Sequence, residues 1–126
     1  MRLLLDTHIF LWAVDATLPD KARALIDEAT EVFVSSASIW EISIKARLGK
    51  LDADPAFLAS LIMPSGFREL PVSASHAAAV FRLPESTDGH KDPFDRLLAA
   101  QALTEPLILL TADVRLSQYA VPMVHV

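Results

Sequence analysis

The feature that most constrains this chain is a recurring unit: an apolar run of three or four residues, followed almost at once by a segment with helical spacing. Leu3-Leu4-Leu5, Val32-Phe33-Val34 and Leu107-Ile108-Leu109-Leu110 are the clearest such runs. They are too short for helices and do not alternate apolar with polar, so they read as strands covered on both faces. The first ends abruptly on Asp6, and the segment beginning at Thr7 is amphipathic.

In chain order, Arg2–Leu5 is the first strand and Thr7–Val14 a short helix capped by Asp6 or Thr7. Pro19-Asp20 opens a helix over Lys21–Ala29, with Ala22, Leu25 and Ile26 on one face. Residues 31–35 form the second strand. Ser36 or Ser38 caps a helix that runs to Leu48 and stops at Gly49. Pro55 begins a helix through about Ile62, broken by Pro64-Ser65-Gly66.

A short strand lies within Phe67–Val72, and an alanine-rich helix within Ser73–Phe81. Pro84–Lys91 is a polar loop. Asp92-Pro93 starts a helix through Leu103, with Pro at its first position, and Glu105-Pro106 ends it. Leu107–Leu110 is a strand, Asp113–Tyr119 a short helix and Val121–Val126 a closing strand. Strands and helices alternate throughout, with no linker or repeat. The expectation is one α/β domain over residues 1–126: a central, mainly parallel sheet of about five strands between layers of helices. Right-handed crossovers then bring the carboxyl ends of the strands to one edge, where ligands bind.

Acids gather at that edge. Asp6 closes the first strand, and Asp113 follows the Leu107–Leu110 run after only Thr111 and Ala112. Asp92 and Asp95 project from neighbouring turns at a helix start. Glu41 lies in an apolar stripe with Ala37, Ile44 and Leu48, where an unpaired charge is costly. Each has a plainer reading. Asp6, Asp92 and Asp113 all stand where Asp caps a helix, Asp95 complements a helix dipole, and Glu41 can pair with Lys45 one turn on. Capping does not explain why several units carry acids at the same edge. Two unit charges ~4 Å apart repel by about 4 kcal/mol at an effective dielectric of 20. A group of ionised carboxylates therefore implies a cation.

The chain has no cysteine. This leaves oxygen donors and a hard ion, Mg²⁺ or Mn²⁺, and excludes a disulfide framework and a thiolate site. A Mg²⁺ that keeps its waters can serve attack on a phosphodiester, so the acids point to nuclease chemistry. The net charge of −5 speaks against a nucleic-acid partner when taken alone. A carboxylate cluster accounts for much of it, and a bound ion reverses the sign locally. Hydrophobic residues make up 52% and charged residues 21% of the chain, as suits a compact globule. No apolar run approaches a membrane span, and Asp6 and His8 interrupt the apolar start that a signal peptide would need. A cytoplasmic protein is expected.

Four stretches carry a family resemblance: Leu-Leu-Leu-Asp-Thr-His at 3–8, Ser-Ile-Trp-Glu-Ile-Ser-Ile-Lys at 38–45, His-Lys-Asp-Pro-Phe-Asp-Arg-Leu-Leu-Ala-Ala-Gln-Ala at 90–102, and Leu-Leu-Thr-Ala-Asp at 109–113. In this order and spacing they resemble the PIN domain, and within it the VapC-type ribonuclease toxins of bacterial toxin–antitoxin modules. The resemblance implies a PIN-like three-layer fold and a Mg²⁺- or Mn²⁺-dependent endoribonuclease. It implies that Asp6, Glu41, Asp95 and Asp113 are the catalytic, metal-holding acids. Asp95 takes the third place because it precedes the Leu-Leu-Ala-Ala-Gln-Ala run. Thr7, Asp92, Arg96 and Thr111 are supporting candidates, each with a plainer role as cap, backbone partner or ion pair. The resemblance also implies a homodimer, an RNA substrate and a cognate antitoxin that occludes the acids, with no membrane partner.

The four histidines form no ligand set. His8 and His90 flank the motifs without being assigned as bases, and His76 and His125 read as structural or surface residues. Lys45 and Arg47 supply local positive charge or a solvated face. Phe10, Trp12, Trp40 and Phe94 read as core or dimer surface. A receiver-type phosphoacceptor needs paired acids after strand one, where Asp6 stands alone. A haloacid-dehalogenase-type phosphatase needs an Asp where His8 stands. The remaining alternative is a catalytically inactive PIN-like module that works only through protein contacts.

Overall fold

The computed structural model describes residues 1–89 and 91–126. His90 lies outside the described residues. Five strands form one sheet in the order β3-β2-β1-β4-β5, every neighbouring pair parallel. They are β1 (Arg2–Leu5), β2 (Glu31–Ser35), β3 (Arg68–Leu70), β4 (Ile108–Thr111) and β5 (Met123–His125). The helices are α1 (Thr7–Val14), α2 (Asp20–Glu28), α3 (Ser36–Arg47), α4 (Pro55–Ser60), α5 (Ala74–Ala79) and α6 (Pro93–Thr104).

The central strand shows why its apolar run is unbroken. Leu4 packs on one side with Leu98, Ala99 and Leu109, beneath α5 and α6. Leu3 and Leu5 point to the other side, among Ile9, Phe10, Ala22, Ile42 and Leu58 from α1 to α4. All three leucines are fully buried, each stabilising the fold by about 1.5–3 kcal/mol relative to exposure. Winding proceeds outward from β1 to β3 on one side, then restarts at β4 on the other. β1 and β4 thus flank the point where the strand order reverses, and the crevice there is where open α/β sheets bind ligands.

Local chemistry moves several boundaries. α3 is capped by Ser35, whose Oγ accepts from the Ala37 amide at 3.0 Å, and not by Ser36 or Ser38. α4 ends at Ser60 because the next turn tightens: the Leu61 and Ile62 amides reach back three residues, to Leu58 O and Ala59 O. The alanine-rich helix likewise finishes as a 3₁₀ turn over Val80–Arg82. β4 starts one residue late, since the Leu107 amide donates to Ala102 O to close the turn after α6. The segment after Asp113 is a 3₁₀ helix over Val114–Tyr119, ended by Ala120 at a positive φ of 57°. Gly49, at φ 74°, lets α3 stop as expected. The Gly49 and Lys50 amides donate to Ala46 O and Lys45 O, a Schellman closure that folds Lys50 back beside Lys45.

Candidate metal centre

The carboxyl ends of β1 and β4 open onto a cavity of ≈ 310 Å³. Its lining includes five carboxylates, Asp6, Glu41, Asp92, Asp95 and Asp113, with Thr7, His8, Lys45, Lys50 and Arg115. The four acids singled out from sequence thus share one cavity, and Asp92 joins them. Asp92 is also the cap of α6, its Oδ1 accepting from the Phe94 and Asp95 amides at 2.9 and 3.2 Å. Asp92 is therefore a cap, as one reading had it, whose carboxylate also lines the cavity of the other acids.

Asp6 leaves β1 with its amide donating to Leu110 O of β4 at 2.9 Å. Its Oδ1 accepts from the Thr7 amide at 2.8 Å, and its Oδ2 from Thr111 Oγ1 at 2.7 Å. Thr111 accepts in turn from the Asp113 amide at 3.0 Å. The Ala112 amide donates to His8 Nε2, which fixes the neutral ring's proton on Nδ1, 3.5 Å from Asp6 Oδ2. Burial holds the Asp6 carboxyl above its ordinary pKa; His8, Thr111 and Thr7 act in the opposite direction.

Glu41 is 6% exposed although it sits mid-helix. Thr7 Oγ1 lies 2.7 Å from Glu41 Oε1 and 2.9 Å from Ser38 Oγ. A hydroxyl has one proton, so Thr7 donates to the carboxylate and accepts from Ser38. Because Ser35 takes the capping role, Ser38 is released for this contact. Glu41 Oε2 accepts from Lys45 Nζ at 2.9 Å, a bond that raises the lysine pKa.

Asp95 reports the field inside the cavity. Burial pushes its carboxyl up to about 8, and Asp6, Asp92, Glu41 and Asp113 push the same way. Arg115 grips Asp113, with Nη2 donating to Oδ2 at 2.9 Å and Nε to Oδ1 at 3.1 Å. The chain's own cations offset the cluster only in part, since the Asp95 carboxyl is still pushed up to about 8.

This donor set, oxygen throughout and over-rich in negative charge, fits a hard divalent cation. Among the described residues no three His, Asp or Glu side chains stand as a closed ligand set. The oxygens of Asp6, Glu41 and Asp113 are turned toward donors of the chain itself.

Other candidates fall elsewhere. Arg96 does not line the cavity: its Nη1 donates to Pro84 O, and its guanidinium lies 5.2 Å from the Tyr119 ring centroid. His76 is buried between α5 and α6, and Phe10 is core. Trp40 is 60% exposed and meets Phe94 edge-on, with centroids 5.0 Å apart. Sequence reasoning missed Lys50 and Arg115 as cavity residues. Arg115 could have been found from its place two residues after Asp113, within reach of that carboxylate. Lys50 depends on the Schellman turn.

A PIN domain family model matches residues 3–122. The chain is 31% identical to Ribonuclease VapC22 of Mycobacterium tuberculosis over 122 residues, covering 94% of this chain and 92% of that one. Solved structures that share the fold include two toxin–antitoxin assemblies. VapBC2 from Rickettsia felis, bound to a promoter DNA fragment, superposes with a TM-score of 0.74 at 17% identity, over 99% of this chain and 98% of that one. A toxin–antitoxin complex from Klebsiella pneumoniae gives 0.63 at 17% identity, over 97% and 95%.

Proposed function

The chain belongs to the PIN domain family, and on that premise we propose that it is a divalent-metal-dependent endoribonuclease, the toxin of a type II toxin–antitoxin pair. The observation that carries this reading is the meeting of Asp6, Glu41, Asp95 and Asp113 on one cavity at the reversal point of the sheet. The ribonuclease relative supports RNA as the substrate.

In this reading the four acids hold Mg²⁺ or Mn²⁺. Such an ion supplies a lowered pKa for water and stabilises charge on the phosphoryl oxygens. The chain's residues do the rest. Thr111 and the Thr7 amide fix the two oxygens of Asp6, and the Thr7 hydroxyl fixes Glu41. Asp92 holds the first turn of α6 and with it the position of Asp95. Lys50 and Arg115, cations on the cavity wall, offset the charge of an incoming phosphodiester backbone.

A second, more apolar cavity of ≈ 670 Å³ adjoins the first and shares Leu11 and Leu51 with it. Trp12, Phe57 and Leu58 line it together with Asp15, Asp52 and Asp54. An antitoxin segment with apolar and basic side chains suits this lining and would reach the acids from there. The solved toxin–antitoxin relative supports such a partner. On α3, the exposed residues Trp40, Ile44 and Leu48 repeat at four-residue spacing, an apolar stripe suited to a second copy of the chain. No helix among the described residues is long and apolar enough to cross a membrane, and a toxin that cuts RNA would act in the cytoplasm.

Cleavage of total cellular RNA by the purified chain with Mg²⁺, Mn²⁺ or EDTA tests the reading, with Asp6→Asn as control. Metal-dependent ends that are missing from the Asp6→Asn lanes are expected. Equal cleavage by both forms would sink the assignment.

A further inference from the structure

Both oxygens of Glu41 already have a partner. Thr7 donates to Oε1 and the Lys45 ammonium to Oε2, at 2.7 and 2.9 Å. These two partners differ in what they permit. A hydroxyl is both donor and acceptor and tolerates a cation nearby, whereas an ammonium offers three donors and no acceptor. A divalent ion and the Lys45 Nζ cannot both sit against one carboxylate without strong repulsion.

Lys45 is also more than a partner of Glu41. It lines the same cavity as Asp92 and Asp95, from the start of α6, so its charge stands on the wall that carries the other acids. The side chain of Glu41 is 8% exposed and that of Lys45 51%. The carboxylate is confined while the ammonium has solvent to retreat into. Arg115 differs: its partner Asp113 has a side chain 23% exposed, at a more open part of the cavity.

We propose that the Lys45 ammonium is a resident counter-ion of the acid cluster, one that a divalent ion must displace from Glu41, so that Lys45 sets the ion concentration at which the site fills. This rests on the reading that the cavity takes a divalent cation. Without an ion, Lys45 holds the Glu41 carboxylate and puts a positive charge on the cavity that Asp92 and Asp95 also line. When an ion binds, the ammonium swings outward on its four-carbon stem and remains on the cavity wall, where it faces an anionic substrate. Lysine suits this exchange better than arginine, because its compact charge is readily hydrated and has no planar fork to lock onto the carboxylate.

The test is calorimetric titration of the full chain with Mn²⁺ and Mg²⁺ for wild type, Lys45→Met, Lys45→Arg and Asp6→Asn, with melting in EDTA recorded for each. Lys45→Met is expected to bind the ion about tenfold more tightly or better, since a positive charge within a few ångströms is removed. It is also expected to melt below wild type in EDTA, where buried Glu41 loses its counter-ion. Lys45→Arg should bind no more tightly than wild type. Ion binding that Asp6→Asn abolishes but Lys45→Met leaves unchanged or weakened would overturn this proposal alone. Absence of binding in wild type and Lys45→Met alike would overturn both it and the cation reading beneath it.

Discussion

Thr111 Oγ1 donates to Asp6 Oδ2 at 2.7 Å while accepting from the Asp113 amide at 3.0 Å. One hydroxyl at the end of β4 thus ties the acid that ends β1 to the backbone of the acid that follows β4. Thr111 is fully buried, so water cannot replace either bond. Thr111→Val keeps the shape and removes both. It should cost about 1–3 kcal/mol in denaturant unfolding and weaken Mn²⁺ binding several-fold by calorimetry. Thr111→Ser should restore most of each. A valine variant with wild-type ion affinity would show that Asp6 needs no such support.

The raised Asp95 pKa makes the site sensitive to pH in a defined direction. Folded Asp95 keeps its proton up to about 8, whereas an ordinary carboxylate releases it near 3.8. Between those values the folded chain binds more protons than the unfolded one, so metal-free stability falls as pH rises through this window. Ion binding runs the other way, because the proton must leave first. Mn²⁺ affinity should rise from pH 6 to 8 and level off above, with proton uptake by the buffer in calorimetry. Asp95→Asn should flatten the rise, leaving the part due to Asp6, whose pKa is also raised. Affinity independent of pH in wild type would contradict the burial of Asp95 among the acids.

Much of this arrangement is legible in the sequence because it depends on strand ends. Leu3-Leu4-Leu5-Asp6 declares a buried strand and the residue at its exit, and the α/β alternation sends every such exit to one edge. Glu41 draws notice as a charge among Ala37, Ile44 and Leu48, but that stripe is not what buries it: Ile44 and Leu48 are exposed, and Glu41 is buried against Thr7, which no pattern on α3 foretells. The illegible parts are set by hydrogen bonds between segments remote in sequence. Whether Ser35, Ser36 or Ser38 caps α3 depends on the turn out of β2, yet it decides that Ser38 reaches Thr7. β4 also runs one residue further than its apolar run, with Thr111 pairing opposite His125 of β5, and this sets Thr111 beside Asp6. Arg96, adjacent to Asp95, is drawn away by Pro84 O and the Tyr119 ring, neither of which its own neighbourhood foretells.

The α3 stripe makes a prediction about assembly. Trp40, Ile44 and Leu48 are 60%, 38% and 62% exposed, a run of apolar side chains at four-residue spacing of the kind that marks contact surfaces. Sedimentation equilibrium at tens of micromolar should give a dimer for wild type and a monomer for Ile44→Glu combined with Leu48→Glu. The variant should keep its melting temperature measured at low concentration, since neither side chain is part of the core. A monomeric wild type would remove the stripe as the dimer contact.

His76 lies outside the acid cavity, and its neighbours fix its tautomer. Its Nδ1 accepts from the Ser73 amide at 3.0 Å and lies 3.3 Å from Gln101 Nε2. Two donors converge on that nitrogen, so it cannot carry a proton of its own. The ring proton must be on Nε2, directed at the Glu105 carboxylate. Long-range ¹⁵N–¹H correlation at neutral pH should show a protonated Nε2 and a bare Nδ1 for His76, and the reverse for His8, whose Nε2 accepts from Ala112. His76→Ala should take a partner from the buried Gln101 amide and loosen α5 from α6, at about 1–3 kcal/mol. Ion affinity should be unchanged, because no part of His76 lines the acid cavity. If His76→Ala instead weakened ion binding as much as Asp6→Asn, the separation of the buried α5–α6 tie from the acid site would fail.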